Sequence, residues 1–205
     1  MVWRLRASAL VSAAVAVLAS GAAAGCGSSA PAAGSSPALS TAPASAGAPS
    51  PARSTASGCT GGSWRSAPIT VTHHVAVPPV PVIKAIRVAQ HPECGYDRVV
   101  LDVAGQVPGY SVRSVATVVG DASGRTISIP GASYLLITLR PAQAHNGAGT
   151  PTVTSGVRQP RYPALASWTL AGDFEGAVTV ALGLAGQANI RTGELPGRIY
   201  IDIKE

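Results

Sequence analysis

Acid–base or metal chemistry would need histidines and carboxylates, and this chain has few of either. The four histidines are His73, His74, His91 and His145. Adjacent residues of a strand point to opposite faces, so we do not expect His73 and His74 to ligate one metal ion together. No HExxH motif, CxxC pair or other metal-ligand spacing occurs in the sequence. We therefore expect surface histidines, no metal site and no cofactor.

A pair of carboxylates, Asp173 and Glu175, lies within the sequence Gly-Asp-Phe-Glu-Gly. Two neighbouring carboxylates can act as general acid and base where the fold separates their pKa values. The flanking glycines favour a hairpin turn instead, with solvated carboxylates and with Phe174 packed into the core. The sequence also lacks a GxSxG elbow, a Walker loop and a GxGxxG fingerprint. We expect no enzyme, with a hydrolytic site dispersed along the chain as the alternative.

Aromatic rings beside arginines offer a second chemistry, the binding of a glycan or a partner protein. In two segments the alternation places a tyrosine and an arginine on the outward face of the same predicted strand. These are Tyr134 with Arg140, and Tyr200 with Arg198. We take these four as candidate ligand-binding residues. The alternative is that they pack against neighbouring strands, as cross-strand pairs commonly do.

The charge of the chain argues against nucleic acid as a partner. Fifteen basic and nine acidic residues give a formal net charge of +6. The basic residues are scattered singly, without the Lys/Arg clusters of nucleic-acid-binding proteins. Two of them, Arg4 and Arg6, precede an uncharged run from Ala7 to Gly25. A basic start followed by an apolar run is typical of an export signal.

The end of this run, Ala23-Ala24-Gly25-Cys26, resembles the lipobox of bacterial lipoproteins, with alanine where that motif usually has leucine. In such proteins the peptide is cleaved before the cysteine, whose thiol carries a diacylglycerol. We therefore predict a lipoprotein signal peptide over residues 1–25 and lipidation of Cys26. The alternatives are an uncleaved membrane anchor and a secreted, unlipidated product. As a permanent span the Ala- and Gly-rich run is weak.

Cysteine usage agrees with export. Once Cys26 is assigned to the lipid, Cys59 and Cys94 are left. Outside the cytoplasm an even pair of cysteines indicates a disulfide. Closing a loop of about 36 residues would stabilise the fold by about 3–4 kcal/mol. Two unpaired thiols are the alternative.

Residues 26–63 differ in composition from the rest of the chain. They consist almost entirely of Ala, Ser, Gly, Pro and Thr. Such a segment buries too little apolar surface to offset the entropy of ordering, so we predict a disordered tether. Its Ser, Thr and Pro content also suits O-glycosylation.

Alternating apolar and polar residues continue from about Ile69 to Ile203. The last segment is the clearest, because Ile199, Ile201 and Ile203 alternate with polar residues. Turn signals separate short segments, and no helical stretch of ten or more residues occurs. The pattern predicts an all-β sandwich or barrel, as one domain over residues 64–205. The other predicted strands are 84–90, 98–103, 110–118, 125–129, 134–140, 166–171, 178–184 and 189–192, and one helical turn is predicted at 141–145.

Several stretches carry a family resemblance. They are GYDRVVLDVAGQVPGY at residues 95–110, LRPAQAH at 139–145, LAGDFEGAVTVALGL at 170–184 and RIYIDI at 198–203. In this order they resemble the AMIN-like domain of actinobacterial lipoproteins, a relative of the N-terminal AMIN domain of cell-wall amidases. The resemblance covers residues 83–204. It implies a non-catalytic β-sandwich that binds peptidoglycan or another envelope component, and it supplies no functional residues to carry over.

The sequence therefore predicts a lipid-anchored, non-enzymatic β-sandwich at the outer face of the cytoplasmic membrane, within the cell envelope. Its expected partners are the membrane, through the lipid, and peptidoglycan or an envelope protein. One alternative is an accessory or structural lipoprotein whose partner is a protein. The other is an exported hydrolase with a dispersed site, which release of muropeptides would identify.

Overall fold

The computed structural model describes Cys59, residues 61–187 and residues 189–205. In these residues two antiparallel sheets pack face to face, which confirms the all-β sandwich. The predicted signal peptide (residues 1–25), the lipidation site Cys26 and nearly all of the predicted tether (residues 26–63) lie outside the described residues. Within the described part of the chain, no helix has the length and apolar character needed to cross a membrane.

The strands follow the alternation of the sequence. In chain order they are β1 Ile69–Val71, β2 Val82–His91, β3 Tyr96–Ala104, β4 Gly109–Val115, β5 Ser133–Arg140, β6 Leu165–Phe174, β7 Ala177–Leu184, β8 Ile190–Leu195 and β9 Arg198–Lys204. One sheet has the order β1-β4-β5-β7-β6 and the other the order β2-β3-β9-β8. We call them the five-stranded and the four-stranded sheet.

The main core lies between the inner faces of the two sheets. The residues predicted to point inward are buried there, among them Val99, Leu101, Ile137, Leu139, Val180, Leu182, Ile199, Ile201 and Ile203. A second, smaller apolar cluster lies on the outer face of the five-stranded sheet. In it Val118 and Ile129, from the loop between β4 and β5, cover Leu136 and Ala181. Strand β7 is therefore buried on both faces.

The strand predicted at residues 125–129 is not formed. The loop makes only an isolated bridge between Val119 and Thr126. The apolar side chains of the predicted strand, Ile127 and Ile129, pack onto the outer face of the five-stranded sheet rather than entering either sheet as a strand. The apolar residues alternate in this segment because they cover the outer face of the sheet, and not because the segment is a strand.

The helical turn predicted at residues 141–145 is also absent, and the short 3-10 helix lies at Pro92–Cys94 instead. Residues near 143 form main-chain hydrogen bonds with the start of β2, because Gln143 donates to Pro81 at 2.9 Å and accepts from Ile83 at 2.8 Å. These bonds hold the segment extended beside β2. Proline occupies the first position of the observed helix, a position that needs no N–H donor.

The predicted disulfide is present. Cys59 and Cys94 are bonded, and their Cα atoms lie 5.4 Å apart. The bridge attaches the segment upstream of β1 to the connection between β2 and β3. Arg65 then exchanges two main-chain hydrogen bonds with Ile190 of β8, at 2.7 and 2.8 Å. Cys59 and Arg65 are therefore both fixed to the four-stranded sheet, Cys59 at the connection between β2 and β3 and Arg65 at the edge strand β8.

Candidate functional site

The four candidate ligand-binding residues lie on two opposite outer faces of the sandwich. Tyr134 and Arg140 alternate with the inward residues of β5 in the five-stranded sheet. Arg198 and Tyr200 alternate with the inward residues of β9 in the four-stranded sheet. The structure does not bring the four together, so each face has to be considered separately.

On the four-stranded sheet, β3 and β9 share a charge pattern, an arginine followed four residues later by an aspartate. The strands are antiparallel, so Arg98 lies directly opposite Asp202, and Asp102 opposite Arg198. Arg98 donates two hydrogen bonds to the Asp202 carboxylate, at 2.5 and 2.9 Å. Arg198 donates one to Asp102 at 3.2 Å. The charges of the two strands therefore neutralise each other.

Asp202 is the centre of this network and is fully buried. Its carboxylate also accepts a hydrogen bond of 2.6 Å from Nε of Arg191, whose side chain is only 5% exposed. The Arg191 guanidinium carbon lies 4.6 Å from the ring centroid of Trp64 and 4.7 Å from that of Tyr96. Buried charges are tolerated where they are paired, hydrogen-bonded and stacked in this way.

Arg198 and Tyr200 both contact neighbours within the sheet. The Arg98 guanidinium carbon lies 4.3 Å from the centroid of the Tyr200 ring. The Tyr200 ring also lies over Gly193 of β8, at a position where a side chain on residue 193 would overlap the ring. Arg198 is half exposed and is paired with Asp102. These contacts are those of cross-strand packing, and a ligand role for Arg198 and Tyr200 stays a prediction.

Asp102 makes part of this face sensitive to pH. The hydrogen bond from Arg87 is the largest of the influences that lower its pKa. A folded-state pKa below the unfolded value of about 4 stabilises the fold above that pH, and the contribution disappears as the pH falls through the folded value. We expect Asp102→Asn to be less stable than the wild type near neutral pH, and the difference to disappear as acid protonates Asp102 in the folded protein, because both side chains are then uncharged. Urea denaturation across this range is the measurement, and a difference independent of pH would contradict the expectation.

On the five-stranded sheet, Arg140 and Tyr134 have different surroundings. Arg140 lines two adjoining cavities of about 330 and 380 Å³, which also share Ser111 and Thr138. Tyr134 lies at the other end of β5, half-buried beside the second apolar cluster. Its hydroxyl donates a hydrogen bond of 3.2 Å to the carbonyl of Gly131. Tyr134 lines a separate cavity of about 260 Å³, and Arg140 is the more exposed of the two.

A row of hydroxyl side chains forms the floor of the two cavities, which together we call the hydroxyl groove. The row crosses β1, β4, β5 and β7, and its members lie directly opposite one another in the strand register. They are Thr70, Ser111, Thr138 and Thr179. With strands about 4.8 Å apart, the row is about 14 Å long. On β6 it ends at Gly172, where the missing side chain leaves room for the carboxylate of Asp121.

Charged side chains and one aromatic ring border the row. Arg140 lies on one side of it and Arg113 on the other, and both are exposed. Neither arginine forms an ion pair with any of the described residues. At the β6 end, 48% of Phe174 is exposed. Hydroxyls, guanidinium donors and an exposed ring are groups that can bind the hydroxyls and the faces of sugar rings.

A family model for the AMIN-like domain matches residues 81–205. The chain belongs to the AMIN-like domain family. This confirms the resemblance seen in the sequence, and the match includes every strand from β2 to β9. AMIN-like domains are in general non-catalytic modules that bind components of the cell envelope. No curated protein and no solved structure matches the chain.

The stretches that carry the family resemblance largely stabilise the AMIN-like fold. In the GYDRVV stretch, Asp97 is fully buried and accepts hydrogen bonds of 2.8 Å from the main-chain N–H groups of Ala164 and Leu165. Arg98 of the same stretch pairs with Asp202 of the RIYIDI stretch. The sequence does carry a signal for this pairing, the equal spacing from Arg to Asp in the two stretches. Analysis of alternation within one strand misses this signal, because it does not compare strands.

Of the hairpin turn predicted at residues 172–176 in the AMIN-like domain, only Glu175 and Gly176 form the turn, because residues 172–174 still pair with β7. Two further predicted details are wrong. Phe174 is not in the core, because Ala171 is an extra residue in β6 and reverses the alternation after Leu170. Phe174 therefore points outward, opposite Ala177. Asp173 is not simply solvated, since its carboxylate lies 2.6 Å from Nδ1 of His145. A β-bulge of this kind changes the facing of every residue that follows it.

The pair of His145 and Asp173 has the geometry of two members of a hydrolytic triad. A triad also needs a nucleophile that hydrogen-bonds the histidine. In the part of the chain that the structure describes, no hydroxyl or thiol bonds to this ring. Across the same residues, no group of three or more His, Cys, Asp or Glu side chains is arranged to hold a metal ion. The pair joins the 141–145 segment to the β6–β7 turn.

Proposed function

We propose that the protein is a lipid-anchored, non-catalytic envelope module whose AMIN-like domain binds the glycan strands of peptidoglycan in the hydroxyl groove. The observation that carries the proposal is the row of accessible hydroxyls of Thr70, Ser111 and Thr138, which continues to the buried Thr179. Arg113 and Arg140 border this row, and neither forms an ion pair with the described residues. Family membership supports an envelope location in general.

The shape and chemistry of the groove support a glycan as the ligand. Its floor crosses four strands, which suits a chain of several sugar units better than a single ring. Hydroxyl side chains donate and accept, as sugar hydroxyls do. Guanidinium groups donate to carbonyl and carboxylate oxygens, which the acetyl and lactyl groups of peptidoglycan supply. The exposed ring of Phe174 offers an apolar face for a sugar ring to cover.

The anchoring part of the proposal rests on the sequence. Cys26 follows a predicted export signal and is the residue that would carry the diacylglycerol, and the residues between Cys26 and the disulfide at Cys59 would form the tether. A lipid at one end and a glycan-binding domain at the other would hold the protein at the outer face of the cytoplasmic membrane. A flexible segment of this composition would let the domain reach the cell wall.

Arg140→Ala in the full-length protein is expected to weaken binding to purified peptidoglycan by about tenfold or more, because a hydrogen bond to a charged group contributes about 1.5–3 kcal/mol. Thr138→Val keeps the shape of the side chain, removes one hydroxyl from the middle of the row and is expected to have a smaller effect in the same direction. Co-sedimentation of the protein with peptidoglycan over a range of concentrations measures both.

Arg198→Ala is the matched control, because it removes the same charge from the opposite face. It should bind peptidoglycan as the wild type does. If Arg198→Ala or Tyr200→Ala weakens binding and Arg140→Ala does not, the hydroxyl groove is not the site. Retention of a membrane protein without retention on peptidoglycan would favour the accessory role, and release of muropeptides would establish an enzyme.

A further inference from the structure

A crevice at one edge of the sandwich shares no residue with the hydroxyl groove. It has a volume of about 260 Å³ and lies where the chain after β5 returns between β2 and β6, the edge strands of the two sheets. Its lining includes two basic side chains, two hydroxyl side chains and one aromatic ring, those of Lys84, Arg158, Thr152, Thr154 and Trp168. None of the described residues that line the crevice is acidic.

A β-bulge positions Lys84. Ile83 pairs with Val103 of β3, and Ala85 pairs with the next residue along, Asp102, so Lys84 has no partner strand residue. Bulges redirect a side chain and occur often beside functional sites. Lys84 is exposed and forms no ion pair with the residues that the structure describes. Its charge is therefore available at the crevice.

Arg158 is fixed by its main chain on the other wall. Its N–H and C=O groups bond to Trp168 at the edge of β6, at 2.8 and 2.9 Å. Trp168 is buried and provides an aromatic surface beside it. The hydroxyl of Thr152 donates to the carbonyl of Ile83 at 2.6 Å and so ties the returning loop to β2. Like Lys84, Arg158 has no carboxylate partner in the described chain.

We propose that this crevice binds an organic carboxylate, such as the free carboxyl end of a peptide, between Lys84 and Arg158. Lys84 and Arg158 line the same small cavity without a counter-charge, and an anion between two cations is attracted by both. Ammonium and guanidinium groups both donate strong hydrogen bonds to a carboxylate. The ring of Trp168 and the apolar residues around it favour an organic acid over a bare inorganic anion, because they have apolar surface to cover.

Titration of the isotope-labelled, full-length protein with N-acetylalanine tests the proposal through the NMR signal of the Trp168 indole N–H. We expect a saturable shift of this signal and no shift with the neutral amide of the same compound. Lys84→Met and Arg158→Met should each weaken the apparent affinity by about tenfold, the effect of losing one charged hydrogen bond. Lys204→Met removes the same charge elsewhere and should leave the affinity unchanged.

Three results would overturn the carboxylate site. One is a shift that never saturates, and another is a titration that neither Lys84→Met nor Arg158→Met alters. The third is inorganic phosphate binding as tightly as N-acetylalanine, because the apolar wall would then contribute nothing. The amide spectrum of each variant shows whether the fold is kept. Since the crevice and the hydroxyl groove share no residue, failure here would leave the result of the peptidoglycan experiment intact.

Discussion

Asp202→Asn is expected to lower the free energy of unfolding by about 3–5 kcal/mol, the usual cost of removing one partner from a buried ion pair. The substitution keeps the shape of the side chain and removes the charge that holds two arginines. Arg191, with 5% of its side chain exposed, would be left as a buried cation without a counter-charge. Arg98 is more accessible, with 25% exposed, and water can replace part of its lost partner. Urea denaturation followed by tryptophan fluorescence measures the loss.

Asp102→Asn is the matched control for this experiment. It removes the same charge on the same face, but 24% of the Asp102 side chain is exposed, and the arginines that bond to it are more than half exposed. Ion pairs near the surface contribute at most about 1 kcal/mol, so this variant should lose far less stability. Equal losses in the two variants would contradict the central role that we assign to Asp202.

Removal of the disulfide by Cys59→Ser together with Cys94→Ser is expected to lower the free energy of unfolding by about 3–4 kcal/mol. The bridge closes a loop between residues 35 positions apart, and opening it raises the entropy of the unfolded chain. The change also releases the segment that carries Trp64, which stacks on Arg191 in the folded protein. Tryptophan emission should therefore shift toward that of an exposed indole before the main unfolding transition.

The wild type in the presence of a reductant provides the control. Its stability should fall to that of the double variant, while the variant itself should not respond to the reductant. If the double variant were as stable as the oxidised wild type, the bridge would have no part in holding the upstream segment. If reductant destabilised both proteins equally, the effect would come from something other than these two cysteines.

Much of the fold follows from period-2 alternation, because every strand turns alternate residues toward the core and most strands leave the other face partly exposed. The inward residues of β5, β7 and β9 are those that the sequence indicates, as Ile137, Val180 and Ile201 show. Bulges limit this reasoning. The extra residue Ala171 turns Phe174 from the core to the surface, and the bulge at Lys84 brings a lysine to the crevice. Gly172 beside the first bulge is a weak signal for it, since glycine within a strand often marks a bulge, and the second has no such signal.

The hydroxyl groove was only partly predictable. The outward position of Arg140 on a single strand predicts it as a candidate. The row from Thr70 to Thr179 depends on the register of four strands that are far apart in the sequence, which alternation within one strand does not contain. On the opposite face, the cross-strand partners of Tyr200 and Arg198 depend in the same way on the pairing of β9 with β3.

The disulfide also directs how the domain would carry a pulling force. Tension on the chain upstream of Cys59 would pass through the sulfur atoms to Cys94 and bypass the residues between them. It would enter beside the end of β9, where the N–H of Glu205 bonds to the carbonyl of Gly95 at 3.1 Å. The three-residue strand β1, which would peel easily from the edge of its sheet, would bear no load. A domain pulled from its N-terminal side would therefore keep β1, and with it the Thr70 end of the hydroxyl groove, in place.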